Sequence, residues 1–223
     1  MSINLTKVRG SLEGKVIDTK TFIAIFYAIG IFGILVPTLS PLFTKLIPLA
    51  LILSFFALAV FHSDRKSNKS ILVFLFIYLL GFTIEVVGVN TGLIFGKYQY
   101  GNSLGIKFLN TPIIIGLNWL IVVYITSSVI ERFRINNILK IVIAASLMLV
   151  YDIILEQVAP RLDMWRFKDS NIPILNYFAW FVIALILHAL IKVNRINTEN
   201  KLSLIILVSQ LLFFFILAIF LKP

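Results

Sequence analysis

The sequence predicts an all-α protein, a polytopic integral membrane bundle of about seven transmembrane helices, and three observations carry that reading. Of the 223 residues, 60% are hydrophobic and only 13% charged, with a mean hydropathy of +1.01, far from the balance of a soluble globular domain. Apolar stretches recur with short polar segments between them, each close to the ~20 residues a helix needs to cross a hydrocarbon core. Backbone groups in lipid must be satisfied within their own segment, which excludes open sheets. No separable soluble domain is expected. Residues 1–20 read as a polar cytoplasmic N-terminal tail and residues 21–223 as one transmembrane helical domain, with the site region at about 81–180.

The tail carries Lys7, Arg9, Lys15 and Lys20. It is long for a signal-peptide n-region and no small-residue cleavage site follows it, so it reads as retained. Seven spans are expected at about 21–36, 46–61, 71–89, 112–130, 138–155, 172–191 and 202–221. Pro37 and Pro41 end the first, and Pro112 stands where a helix start tolerates proline. When Lys and Arg are assigned by alternating side, with Lys140 counted in the loop before it, thirteen of the 20 fall on the tail's side. That places the N-terminus in the cytoplasm and the C-terminus outside, as a multi-pass protein of the cell membrane. The net charge of +10 lies in short loops, where orientation and anionic headgroups account for it; the lipid bilayer is the expected partner, not nucleic acid. The absence of cysteine removes disulfides and thiolate chemistry. Two long loops, about 90–111 and 156–171, share the outer side.

Both of those loops are flanked by intramembrane acids. Glu85 lies on a helix with Gly81, Gly88 and Gly92 at spacings that put all four on one face, where the glycines let a neighbour approach closely. A charge within a span costs roughly 2.5–3.5 kcal/mol on insertion scales and needs a partner or a wet cavity. Asp152 and Glu156 are one turn apart at the end of span five, at a similar depth to Glu85. Three like charges at one end of a bundle repel, which makes one of them a candidate general acid. The alternative is structural: Glu156 solvated or paired with Arg161, and Asp152 paired with a polar group of another span. Asn176, Tyr177 and Trp180 form a stripe at the same end of span six, and Trp119 lies about two turns into span four. Aromatic faces there can line an apolar slot and stabilise a cation, although an interfacial aromatic belt accounts for Tyr98 and Tyr100 taken singly. His62 is expected to be solvated at a loop edge, and His188 to sit ~18 Å of helix away from Asn176. Neither belongs to a zinc pattern. With no HExxH, GxGxxG or Walker sequence and no pair of aspartate-rich motifs, redox and phosphoryl transfer have no support in the motifs.

The order Glu85-xx-Gly88-xx-Thr91-Gly92-xx-Phe95-Gly96-x-Tyr98-x-Tyr100, then Pro112 and Trp119, Asp152-xxx-Glu156-xx-Ala159-Pro160 with Trp165, and Pro173-xx-Asn176-Tyr177-xx-Trp180 resembles the membrane carotenoid hydratases of the γ-carotene and bisanhydrobacterioruberin type. The resemblance covers about residues 81–180. It implies addition of water to the terminal double bond of an acyclic (ψ) carotenoid end, giving a tertiary alcohol, with no cofactor and no metal. Glu85 or Asp152 would then donate the proton, and the other or Glu156 would handle water. Tyr98, Tyr100, Trp119, Tyr177 and Trp180 would wall the end-group pocket, and Asn176 would hold water or a carboxyl. Two rivals remain. A membrane lycopene-type cyclase starts with the same protonation but captures the cation internally, and a transporter or carotenoid-binding scaffold would use the acids without chemistry.

Overall fold

In the computed structural model, residues 5–64, 67–168 and 171–221 are described, with side chains from residue 14. Arg65, Lys66 and Lys222, which enter the charge count, lie outside them. Among the described residues the chain forms eight helices and four short strands: α1 (Leu5–Leu35), α2 (Ser40–Lys45), α3 (Ile47–Val60), α4 (Asn68–Thr91), β1 (Tyr98–Tyr100), β2 (Lys107–Phe108), β3 (Thr111–Pro112), α5 (Ile114–Glu131), α6 (Asn137–Glu156), β4 (Trp165–Phe167), α7 (Ile174–Val193) and α8 (Ser203–Phe220). Six of the helices are long and apolar enough to cross a membrane. The first such stretch is Gly14–Leu35, and the helix that holds it begins at Leu5, inside the segment read as a polar tail.

The second expected span, 46–61, is α3, which has 14 residues; the short α2 precedes it, and Pro41 and Pro48 each stand in the first turn of their helix. Short as it is, α3 joins the two ends of the bundle. At its start, a Cβ on Gly105 would lie 3.8 Å from Pro48, and just past its end His62 bonds the hydroxyl of Tyr124 at 2.8 Å. The bundle is closed around α5. In that helix 14 of 18 residues are buried, as expected for a helix apolar all round, and it packs against α3, α4, α6, α7 and α8.

Local chemistry fixes the helix ends. Ser67 and Asn136 cap α4 and α6 by accepting from the backbone N–H groups of Ser70 and Leu139. Gly92 ends α4 in the left-handed region, φ 69°, where a side chain is strained. At the end away from the acids, Glu131 holds Lys140 of α6 at 2.8 Å and Lys192 of α7. His188 bonds Ser127 of α5 at 2.8 Å and so belongs to that end, as its helical distance from Asn176 implied. His62, expected to be solvated, is buried instead. The turn after α3 folds inward and packs its ring edge-on against Phe74 and Tyr124.

Candidate active site

The two long loops come together as a two-stranded antiparallel ribbon. Tyr98 pairs with Phe167, Gln99 with Arg166 and Tyr100 with Trp165. Side chains alternate across a strand, so the four aromatics turn into the bundle while Gln99 and Arg166 face out. Asp163, held at φ 51°, locks the turn beside the ribbon. Its carboxylate accepts the Asn102 N–H at 2.9 Å and its backbone oxygen accepts the Ser103 hydroxyl at 2.8 Å. No tertiary pairing of this kind is needed to hold helices; here it positions rings.

Glu85 is buried on α4 beneath this ribbon. Tyr98 and Tyr100 each donate a hydroxyl to its Oε2 at 2.6 Å, and Trp119 donates Nε1–H to its Oε1 at 2.9 Å. The neighbouring glycines make that approach feasible: a Cβ on Gly81 would fall 2.7 Å from Trp119, and one on Gly88 2.6 Å from the Phe95 ring. Burial first, and then the charge of Glu85, push the Tyr98 and Tyr100 phenols above the ordinary tyrosine range. Both remain donors across the whole physiological range.

Asp152 and Glu156 lie on the facing side, on α6. The Asn176 amide donates to both, at 3.2 Å to Asp152 Oδ2 and 3.2 Å to Glu156 Oε1, and Trp165 Nε1–H donates to Glu156 Oε2 at 2.9 Å. Asp152 Oδ1 is buried with no hydrogen-bond partner among the described residues. Between the two groups of acids is a cavity of about 20 Å³, room for about one water. Glu85 and Glu156 both stand on its wall, with Phe95, Tyr100, Trp165 and Trp180 among the rings around them. Trp119 backs that wall, stacked on Trp180 at 4.2 Å and 19°.

Residues 46–222 match the carotenoid biosynthesis proteins, a stretch that takes in all of the acids and rings just described. The chain belongs to the carotenoid biosynthesis protein family. No curated protein and no solved structure matches it. Membership gives this multi-pass membrane protein a role in carotenoid biosynthesis.

Of the nine residues expected at the site of this carotenoid biosynthesis protein, eight are brought together: Glu85, Asp152 and Glu156 with Tyr98, Tyr100, Trp119, Asn176 and Trp180. Tyr177 is half-buried and is not on the cavity wall, because it follows Asn176 by about 100° around α7. The alternative of an aromatic belt does not describe Tyr98 and Tyr100, whose hydroxyls point at Glu85. Arg161 does not pair with Glu156; it donates to the backbone oxygens of Ala218 and Leu221. The structural alternative for Asp152 does hold in one respect, since its partner is a polar group of another span, Asn176. Phe95, Trp165 and Phe167 line the cavity although they were not expected to. The signal for the last two was the Trp-Arg-Phe alternation, which matches Tyr-Gln-Tyr residue for residue as one face of a ribbon.

Proposed function

We propose that the protein hydrates the terminal C=C of an acyclic (ψ) carotenoid end group, a cofactor-independent hydro-lyase reaction run in the direction of addition. A carboxyl O–H gives its proton to the CH carbon of the (CH3)2C=CH– terminus, forming a C–H bond and leaving the tertiary carbon cationic. A water oxygen closes on that carbon, and its surplus proton passes to a carboxylate. One water is added and no electrons are exchanged. The observation that carries this reading is a water-sized cavity lined by two carboxyl groups, Glu85 and Glu156, together with aromatic rings. Such rings stabilise a cation through their negative faces, and acids so placed can deliver and remove protons without long transfers.

The hydrogen bonds support a division of roles. Glu85 accepts from three donors, an arrangement that suits an acceptor-only carboxylate, so it faces the cation and takes the proton from water. Asp152 has the unpartnered oxygen but is off the wall, so it holds a proton behind Glu156. Glu156, sharing the Asn176 amide with it, meets the end group. The test is expression in a host that makes a ψ-end carotenoid, with pigments separated and weighed by mass spectrometry. A product heavier by one water is expected. An isomer of equal mass would replace this reading with cyclisation, and unchanged pigment beside properly inserted protein would favour binding or transport.

A further inference from the structure

Residues 104–113 fold into a tight hairpin through the β2–β3 pairing, with Leu109 and Asn110 at φ 50° and 65° at its tip. It is tied to the end of α4 from both sides of the turn. Asn90 donates to the Leu109 oxygen at 3.0 Å, and Asn110 donates to the Asn90 side-chain oxygen at 2.9 Å. Its outer surface is apolar: Ile106 is 80% exposed, and Phe108 and Leu109 58% each. A rigid hairpin that spends this much apolar surface on water would be an anomaly.

Its polar groups are arranged for an apolar surround. Lys107 is the one charged residue of 104–113, and its Nζ is drawn onto the Tyr100 backbone oxygen at 2.7 Å. Thr111 is buried and its hydroxyl donates to the Leu109 oxygen at 3.3 Å. The Ile113 N–H closes back on the Ile106 oxygen at 3.0 Å. Polar groups satisfied inside the protein are what a non-helical segment needs at membrane depth. The exposed side chains also continue the exposed apolar face of the spans on either side, Val87 of α4 and Ile113 at the start of α5. We propose that this hairpin is a membrane wedge, seated in the headgroup–acyl boundary of the leaflet at the site end with Ile106, Phe108 and Leu109 in the acyl chains. Through Lys107 it is joined to the strand that carries Tyr100, so the lipid surface and the Glu85 site are mechanically linked. The inference rests on the membrane-spanning fold and stands apart from the hydration reading, since its test involves no turnover.

The chain has no cysteine, so single cysteines at Ile106, Phe108 and Leu109 can each carry an environment-sensitive fluorophore in the full-length protein in phosphatidylcholine nanodiscs. Gln99→Cys, on the outward face of the ribbon, is the water-facing control. The wedge predicts blue-shifted emission at the three hairpin positions, quenching by lipids spin-labelled high on the acyl chain, and protection from iodide several-fold greater than at Gln99→Cys. Iodide quenching equal to that of the control would overturn it. Protection from both quenchers would overturn it too, because a protein partner or a second copy would then cover the hairpin. Ile106 packs least, so Ile106→Cys keeps the test alive if either ring or tip variant fails to fold.

Discussion

Glu85 has three donors on two oxygens, and each contact can be removed separately. Glu85→Gln leaves one oxygen for three donors and sets an NH2 against at least one of them. Hydration is expected to fall by at least about 10²-fold, the lower range of what a positioned acid–base group contributes, with insertion unchanged. Product yield normalised to inserted protein measures this, and a variant that keeps wild-type yield removes Glu85 from the chemistry. Tyr98→Phe and Tyr100→Phe each take away a donor to the carboxylate proposed at Glu85, a contact worth about 1.5–3 kcal/mol to a charged acceptor, so each should act in the same direction and more mildly. The phenols themselves carry a pH signature. Folding raises them above the value of about 10 that they have in an unfolded chain. Their stabilising contribution is whole below that pH and declines above it, where the unfolded chain loses protons that the fold retains. Ultraviolet titration of wild type against the Tyr98→Phe/Tyr100→Phe double variant should show no difference in phenolate absorbance until unfolding begins. An earlier difference would mean that the two rings are open to solvent.

At the scale of elements, the β1–β4 ribbon brings the rings to the acids. Asp163 locks it from a left-handed backbone, and Asp163→Ala removes the carboxylate that accepts the Asn102 N–H. The turn after Tyr100 should loosen, costing about 0.5–1.5 kcal/mol for the lost hydrogen bond, since the exposed Asn102 N–H is then taken up by water, and lowering turnover through displacement of Tyr100 from Glu85. Thermal unfolding in detergent, paired with product yield, checks both halves. Gly81→Ala tests the α4–α5 contact, since its Cβ would stand 2.7 Å from Trp119; overpacking there should cost about 1–3 kcal/mol and push the indole from Glu85. These elements were unevenly legible in the sequence. The long spans show as apolar runs, because lipid leaves a helix no other way to satisfy its backbone. The acids show as charges where charge is costly. The ribbon does not stand out, since two three-residue strands 65 residues apart carry too little periodicity to pair in advance. Hence Trp165 and Phe167 were missed as wall residues, and Tyr177 was included on the strength of a stripe that the helix turns away.

For the whole molecule, the bundle is polarised. The acids, the ribbon and the hairpin occupy one end, while the other is clipped by Glu131 with Lys140 and Lys192 and by the buried His62–Tyr124–Asn200 contacts, with Asn200 donating to the Tyr124 hydroxyl at 3.2 Å. The first of these ends was readable because loops 90–111 and 156–171 fall on one side by alternation, and their strands do pair. The burial of His62 was not, because a polar residue next to a loop looks the same whether the turn folds inward or outward. From the charge bias we propose an orientation for the bundle. By alternation of the expected spans thirteen of 20 basic residues fall on the tail's side, and the positive-inside rule would then put the Glu131 clip in the cytoplasm and the ribbon on the outer face. Single cysteines at Gln99 and Arg134, in intact cells, decide this with a membrane-impermeant maleimide. Gln99→Cys should label from outside and Arg134→Cys only after permeabilisation. The reverse pattern would turn the protein over, and hydration would then take its water from the cytoplasm. In both orientations the proposed substrate, made within the membrane, would reach the acids from the leaflet, and a hairpin seated in that leaflet would stand at the level where its end group arrives.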